Sequence, residues 1–109
     1  MNTRNKQTLA CIAAIKTEMK AKDLWQTSAP SEQALASQQP FCVDTLTFLE
    51  WVQWLMIPRL THMIERNMPL PQQSDIYSMA EEALKLVACD TQVIANEIKK
   101  LDQALTVHH

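Results

Sequence analysis

Apolar residues are densest between Gln39 and Leu60, where the chain reads QPFCVDTLTFLEWVQWLMIPRL. At about 100° per residue, a helix over this stretch collects one broad apolar face. That face consists of Phe48, Trp51, Val52, Leu55 and Met56, with Leu49 at its edge. The opposite side holds Leu46, Trp54 and Ile57 beside the polar Glu50 and Gln53. A helix that is apolar on nearly every side is typical of the centre of a domain, so we predict that other helices pack around this one.

The ends of this central helix are indicated by single residues. Asp44 is the expected N-cap, because its carboxylate can accept an amide hydrogen of the first turn. Pro58 cannot donate to the Trp54 carbonyl four residues earlier, so we expect a kink or a break there. Helical spacing resumes beyond it at Leu60, Met63 and Ile64. The pattern therefore predicts one kinked helix from Asp44 to about residue 67.

A first helix is predicted from Thr3 to about Lys22, and its core residues are Ile12, Ile15 and Met19. Trp25 is expected to fold back and close the end of the bundle. Residues 26–43 have no helical stripe and are predicted as a long loop, either mobile or functional, with a short helical turn around Leu35. Phe41 is expected to anchor the end of this loop on the bundle.

Two further helices follow an extended strap at residues 68–71, MPLP, which we expect to cross the bundle. The first is predicted to begin near Ser74 or Asp75 and to bury Ile76, Met79, Ala80, Ala83, Leu86 and Val87, with Tyr77 and Leu84 at one edge. The second is capped by Asp90 or Thr91 and buries Ile94, Ile98, Leu101 and Leu105. A very short link is expected between the two, which would form an antiparallel hairpin.

Length and composition support one all-α domain. The chain has 109 residues and no glycine, which excludes glycine-rich phosphate loops and disfavours tight hairpins. We predict a four-helix bundle over residues 1–109, with a kinked central helix and a long loop between helices 1 and 2. The formal charge of −2 gives no field that would attract RNA or an acidic membrane, so direct nucleic-acid binding is not expected.

The chain is expected to be cytoplasmic. It contains no apolar stretch approaching the roughly 18 to 20 residues of a membrane-spanning helix, and its first residues lack the apolar core of a signal peptide. Cys11, Cys42 and Cys89 are far apart and lack the short spacing of a zinc site. We expect buried or half-buried free thiols in a reducing compartment.

Three motifs carry a family resemblance. They are QPFxxDT from Gln39, FLEWxQWxxIPRL from Phe48, and MPLP from Met68. This pattern resembles the YqcC-like family of small all-helical bacterial proteins of unknown function. The match is dense from Gln39 to Pro71 and looser on both flanks. The resemblance implies a compact four-helix bundle, a cytoplasmic setting and no established activity. Family members are sometimes labelled tRNA pseudouridine synthase C, a label that reflects a gene neighbour.

The residues themselves favour no catalytic, metal or cofactor site. Nucleophilic catalysis needs a nucleophile, a base and an orienting acid together, yet His62 is the one histidine expected inside the fold. It has Glu65 one turn away, which makes two ligands on one helix and not a metal site. Pseudouridine synthases use an aspartate on a much larger α/β domain, and here the nearest counterpart, Asp102, lies on a bundle helix. The terminal His108 and His109 are consistent with the remains of a purification tag.

One stripe of the central helix is the candidate partner-binding site. It consists of Glu50, Gln53, Trp54, Ile57 and, just past the expected kink, Arg59. In the structural interpretation Trp54 packs under the long loop and Glu50 pairs with Arg59 or a lysine. In the functional interpretation part of the stripe lies in a groove, walled by the proline strap and the loop 26–43, that anchors a partner protein.

Three functions stay open at this point, with partner and oligomeric state unidentified. A protein-interaction or accessory module requires an exposed apolar patch that includes Trp54. An accessory factor of RNA modification that touches RNA requires cations to converge on one face; the candidates are Lys16, Lys20, Lys22, Arg59 and Arg66. A small-ligand-binding protein or enzyme requires a pocket that places His62 near an acid or a thiol.

Overall fold

The structure, a computed structural model, describes residues 2–107, and within this range it is helical with no strand. The α-helices are α1 (Thr3–Ala21), α2 (Glu32–Leu35), α3 (Phe48–Trp51), α4 (Ile57–Glu65), α5 (Tyr77–Leu84) and α6 (Gln92–Leu105). A 3₁₀ turn (Pro40–Cys42) precedes α3, and a π-helical segment (Val52–Met56) joins α3 to α4. The predicted all-α class is confirmed. The prediction for His108 and His109 lies outside the described residues.

The core lies between α1, α6 and the continuous helix over residues 48–65, hereafter the central helix. α1 packs along α6 more extensively than any other pair of elements. The stripes predicted for these two helices are buried: Ile12, Ile15 and Met19 on α1, and Ile94, Ile98, Leu101 and Leu105 on α6. No helix of residues 2–107 is long and apolar enough to cross a membrane.

The central helix begins later than predicted, because Thr47 and not Asp44 is its N-cap. The Thr47 hydroxyl accepts a hydrogen bond from the Glu50 amide, and the Glu50 carboxylate accepts one from the Thr47 amide. This reciprocal capping box satisfies two amide hydrogens at once. Asp44 instead accepts a hydrogen bond from the Ser37 hydroxyl within the preceding loop.

Pro58 widens the central helix and does not break it. Proline has no amide hydrogen, and its ring collides with the carbonyl four residues earlier, that of Trp54. The segment Val52–Met56 avoids this collision by forming a π-helical turn, in which the Ile57 amide donates to the Val52 carbonyl five residues back. The chain then continues as α4 to Glu65.

The π-helical turn changes which residues of the central helix face the core. A π-helix holds more residues per turn than an α-helix, so the faces beyond it are rotated from the α-helical projection. Gln53 and Ile57, which the α-helical period places opposite the core face, are buried. Leu55, predicted for the core face, is half-buried. Trp51, also predicted for that face, precedes the turn and is half-buried with its ring against Phe41.

Two helices end in a left-handed residue although the chain has no glycine. Asp23 follows α1 with φ of 58°, and Asn67 follows α4 with φ of 54°. In each case the next amide reaches back five residues, Leu24 to the Met19 carbonyl and Met68 to the Met63 carbonyl. These are Schellman turns, and short polar side chains tolerate the left-handed region better than most others.

The long loop is tied to the bundle at several points. It contains α2, and the Thr45 hydroxyl donates to the Ala34 carbonyl within that helix. Phe41 packs edge-on against Trp51 with ring centroids 4.8 Å apart, which places the predicted anchor on the bundle. Phe41 and Cys42 both have positive φ, 56° and 50°, and such non-glycine residues persist where surrounding contacts hold them.

α5 is shorter than predicted, and part of its cap comes from another helix. It begins at Tyr77, and the amides of Ile76 and Tyr77 donate to the Asp102 carboxylate of α6, at 2.9 and 2.8 Å. The Ser74 hydroxyl donates to the same carboxylate. Asp75, one of the two predicted caps, accepts from the Ser78 amide. Asp102 is 9% exposed, so this buried carboxylate connects α5 to α6.

The predicted C-terminal part of α5 is wrong. The helix ends at Leu84, and residues 85–91 form a seven-residue link where a very short one was predicted. Leu86 was placed in the core by helical spacing, but it lies in this link and is 88% exposed. Leu84, predicted at an edge, is buried in its place.

Arg4 fastens the strap to α6. Its guanidinium donates to the carbonyls of Ala104 and Leu105 at the end of α6, and to the Pro71 carbonyl of the strap. Positive charge is favourable at a helix C-terminus. Leu70 of the strap is buried, whereas Met68 is exposed. The strap therefore closes the bundle beside α6.

We expect Asp102→Asn to lower the free energy of unfolding by about 1–3 kcal/mol, because it weakens a buried charged acceptor shared by three donors. Urea denaturation measures this. Asp90→Asn is the matched control, since Asp90 accepts one exposed hydrogen bond, from the Gln92 amide at the start of α6. A loss for Asp102→Asn no greater than for the control would contradict the connecting role of Asp102.

We expect Asn67→Ala to be less stable than Asn67→Gly by about 1 kcal/mol, since glycine alone adopts positive φ without a steric cost. Thermal and urea unfolding of the two variants measure the difference. Equal stabilities would show that residue 67 does not hold the left-handed conformation in solution.

Candidate functional site

Three residues of the predicted partner-binding stripe, Gln53, Trp54 and Ile57, line a shallow groove between the central helix, the end of α1 and the start of the long loop. We call it the tryptophan groove. It has a volume of about 530 Å³ and is lined by Lys16, Trp25, Gln26, Thr27, Gln53, Trp54, Ile57 and Pro58. Of the two walls expected from the sequence, residues of the long loop are present. The proline strap lies elsewhere, because it is held beside α6 by Arg4.

Gln53 fixes the start of the long loop to the central helix. Its side-chain oxygen accepts from the Gln26 amide at 2.8 Å, and its side-chain nitrogen donates to the Gln26 carbonyl at 2.7 Å. Gln53 is 4% exposed, and both ends of its buried amide are satisfied. Its role is therefore to hold the loop, and it offers no side chain to a partner.

The side chain of Gln26 connects two further residues of the stripe. Its oxygen accepts from the Trp54 indole nitrogen at 2.9 Å, and its nitrogen donates to the Glu50 carboxylate at 3.2 Å. Indole can only donate and an ionised carboxylate can only accept, so the orientation of the Gln26 amide is determined. Trp54 packs beside the loop as in the structural interpretation, but Glu50 is bound to Gln26 and Thr47 and not to Arg59 or a lysine.

The hydrogen bonds around Glu50 stabilise its charged form. The bond from the Thr47 amide is the largest cause that lowers the pKa of this carboxyl below its ordinary value, and it outweighs desolvation, which raises it. The amide of Gln26 contributes in the same direction as Thr47. Glu50 therefore stays ionised at neutral pH as part of the cap.

The remaining stripe residues differ in accessibility. Ile57 is 8% exposed and belongs to the core, and it forms part of the floor of the groove. Trp54 is half-buried, and Arg59 is exposed beside Pro58. Of the five predicted residues, Trp54 and Arg59 therefore have side chains that a partner could contact most readily.

The structure adds a cationic edge to the groove that the sequence interpretation missed. The ammonium groups of Lys16 and Lys20 lie 5.4 and 5.6 Å from the ring centre of Trp25, within cation–π range. We predicted that Trp25 folds back over the bundle, and it packs against the core. Two lysines spaced i, i+4 shortly before a tryptophan at a helix end are the signal that identifies this edge.

A second, more apolar cleft lies at the other end of the central helix. This leucine cleft has a volume of about 330 Å³ and is lined by Thr47, Phe48, Leu49, Ala83, Leu84, Leu86 and Val87. It exists because α5 ends early and leaves Leu86 outside the core. Helical spacing alone could not reveal it.

The side chains that could take part in catalysis or bind a metal are dispersed over the structure. His62 is exposed on α4, and its ring has no hydrogen bond or ion pair to another described residue. Burial is the main cause that raises the pKa of the Cys11 thiol, and Glu97 adds to it, so this thiol stays protonated. Cys11 and Cys42 are buried and Cys89 is half-buried, all free, as predicted. No group of three or more His, Cys, Asp or Glu side chains within residues 2–107 could hold a metal ion.

We expect Glu50→Gln to reduce the loss of stability on acidification. A carboxyl whose pKa is lowered in the fold contributes stability above its unfolded pKa and loses it as pH falls through the folded value. Between about pH 5 and pH 3, wild type should therefore lose more unfolding free energy than Glu50→Gln, which keeps the capping geometry. Urea unfolding at each pH measures this, with exposed Glu81→Gln as the charge-matched control. Parallel curves for wild type and Glu50→Gln would contradict the assignment.

Several known proteins are similar to this chain. An uncharacterized protein of Haemophilus influenzae is 34% identical over 100 residues, which cover 92% of this chain and 84% of that protein. The uncharacterized protein YqcC of Escherichia coli is 31% identical over 91 residues, 84% of each. A tRNA pseudouridine synthase C of Pectobacterium carotovorum is 30% identical over 70 residues, which cover 64% of this chain and 19% of that protein.

The fold has a solved counterpart. The solution NMR structure of YqcC from E. coli superimposes with a TM-score of 0.80 at 26% identity, and the match covers 99% of this chain and 96% of that one. Residues 7–104 match the model of the DUF446 family, whose description is tRNA pseudouridine synthase C. The resemblance deduced from the sequence motifs is confirmed, and the chain belongs to this family of YqcC-like proteins.

Proposed function

We propose that this chain is a non-catalytic protein-interaction module whose partner is a tRNA pseudouridine synthase. The observation that carries the proposal is the match to the Pectobacterium protein of that name, in which the similar segment takes up 19% of the length. There the similar segment is one part of a much longer polypeptide. An interface between domains of one chain resembles an interface between separate proteins. The same contact can therefore form when the two parts are separate chains.

The non-catalytic part of the proposal is supported by the chemistry of the described residues. His62 is exposed, and the Cys11 thiol is buried and protonated. Asp102, the aspartate considered from the sequence, accepts hydrogen bonds from two backbone amides and the Ser74 hydroxyl. A carboxylate that accepts these three hydrogen bonds caps α5 and is not positioned to attack a nucleobase. A cytoplasmic location, where tRNA is modified, belongs to the same proposal.

The tryptophan groove is the docking surface in this proposal. Trp54 and Arg59 belong to the residue types that most often dominate binding energy at protein interfaces. Trp54 is half-buried with its indole nitrogen already bonded to Gln26, so its ring can be covered by a partner without leaving a polar group unpaired. The buried Gln53 keeps the loop side of the groove in place.

We expect Trp54→Asp to weaken binding to the tRNA pseudouridine synthase of the same organism by roughly thirtyfold or more, the loss typical of a central tryptophan. Isothermal titration calorimetry with the two purified proteins measures this. Trp54→Phe keeps a ring while losing the bond to Gln26, so it separates an effect on binding from an effect on the loop.

Leu86→Asp is the matched control, because it places the same charge on an exposed apolar residue of the leucine cleft. It should bind like wild type. If Leu86→Asp abolishes binding and a folded Trp54→Asp does not, the interface is the leucine cleft. Failure of the wild-type protein to bind the synthase would refute the proposed function.

A further inference from the structure

The cationic edge of the tryptophan groove carries an inference about the segment that binds there. Lys16 and Lys20 are four residues apart, so their side chains project from the same side of α1. Both ammonium groups approach the ring of Trp25. Glu18 lies between them in sequence but two residues from each, about 200° around the helix. Its carboxylate therefore projects from another side of α1 and does not neutralise them.

Neither of these lysines has an ion-pair partner in the part of the chain that the structure describes. Ion pairs within residues 2–107 join Lys85 to Glu82 and Lys100 to Glu97. Lys16 and Lys20 are exposed. Two positive charges that share one aromatic ring repel each other, and an anion placed beside them relieves that repulsion. The edge is therefore complementary to negative charge.

The floor of the groove next to this edge is apolar. Ile57 and Pro58 line it together with the ring of Trp54. Its volume of about 530 Å³ holds a few side chains and not a folded domain. An occupant that is complementary to both the lysine edge and the apolar floor has carboxylates next to an aromatic or aliphatic side chain.

We propose that the tryptophan groove binds an acidic segment of the tRNA pseudouridine synthase, with its carboxylates on Lys16 and Lys20 and an adjacent apolar side chain between Trp25 and Trp54. This inference rests on the proposed function, since it names the chemistry of the partner at the same surface. The recognition combines short-range packing with a charge contact that depends on salt.

An RNA strand is the other anionic occupant, and the arrangement favours it less. Single-stranded RNA binds by stacking bases on free aromatic faces. The lysine ammonium groups already lie over the ring of Trp25, where a base would have to stack.

The test is titration of the purified synthase into wild type and the double variant Lys16→Gln/Lys20→Gln, at about 50 mM and about 400 mM NaCl. We expect the double variant to bind about tenfold more weakly at low salt and to differ little from wild type at high salt. Lys16→Arg/Lys20→Arg, which keeps both charges, should bind within about threefold of wild type. The control Lys85→Gln/Lys99→Gln removes two charges elsewhere, including the cation–π contact of Lys99 with Tyr77, and should leave binding unchanged.

The other outcomes separate the two proposals. If wild type binds the synthase and Lys16→Gln/Lys20→Gln binds equally well, the acidic-segment inference is wrong and the proposed function stands. If wild type does not bind the synthase, both fail. A parallel titration with unmodified tRNA tests the alternative occupant. Binding of tRNA that the double variant loses, with synthase binding retained, would make the groove an RNA site and overturn the inference.

Discussion

The missing amide hydrogen of Pro58 determines the geometry on which the rest of the central helix depends. In a regular α-helix its ring would collide with the Trp54 carbonyl. The π-helical turn over Val52–Met56 removes the collision and rotates the residues around it. Gln53 lies in this turn, and its buried amide reaches both backbone groups of Gln26. The segment next to Pro58 therefore also holds the start of the long loop, 27 residues earlier in the chain.

The sequence was sufficient for the fold class and for the helices with regular spacing. α1 and α6 are long and follow one period without interruption, so their buried stripes were predicted correctly. Prediction failed where a tertiary contact replaced a local signal. Asp102 caps α5 from another helix and Leu86 leaves the core because α5 ends at Leu84, and neither can be deduced from spacing within one segment.

The candidate site was likewise predicted only where local spacing in the sequence determined it. Sequence spacing identified Trp54 and Glu50 on one stripe, and the structure joins them through a hydrogen-bonding residue, Gln26, that lies outside it. Gln53 and Ile57 were assigned to the surface because a regular helical period was assumed for a segment that is π-helical. The sequence interpretation considered Lys16 and Lys20 only as candidates for a face that touches RNA, and it did not connect them to Trp25 or to the stripe, because they lie on a different helix.

Preorganisation favours the docking that we propose at the tryptophan groove. Association loses free energy when loops and side chains must become ordered at the interface. Here the start of the long loop is already fixed by Gln53, and the path to Trp25 is set by the Schellman turn at Asp23. Trp54 is held from the loop side by Gln26. A partner that fills the groove therefore orders few residues of this chain, so that a small contact area can support a specific complex, whether the two parts are joined in one chain or separate.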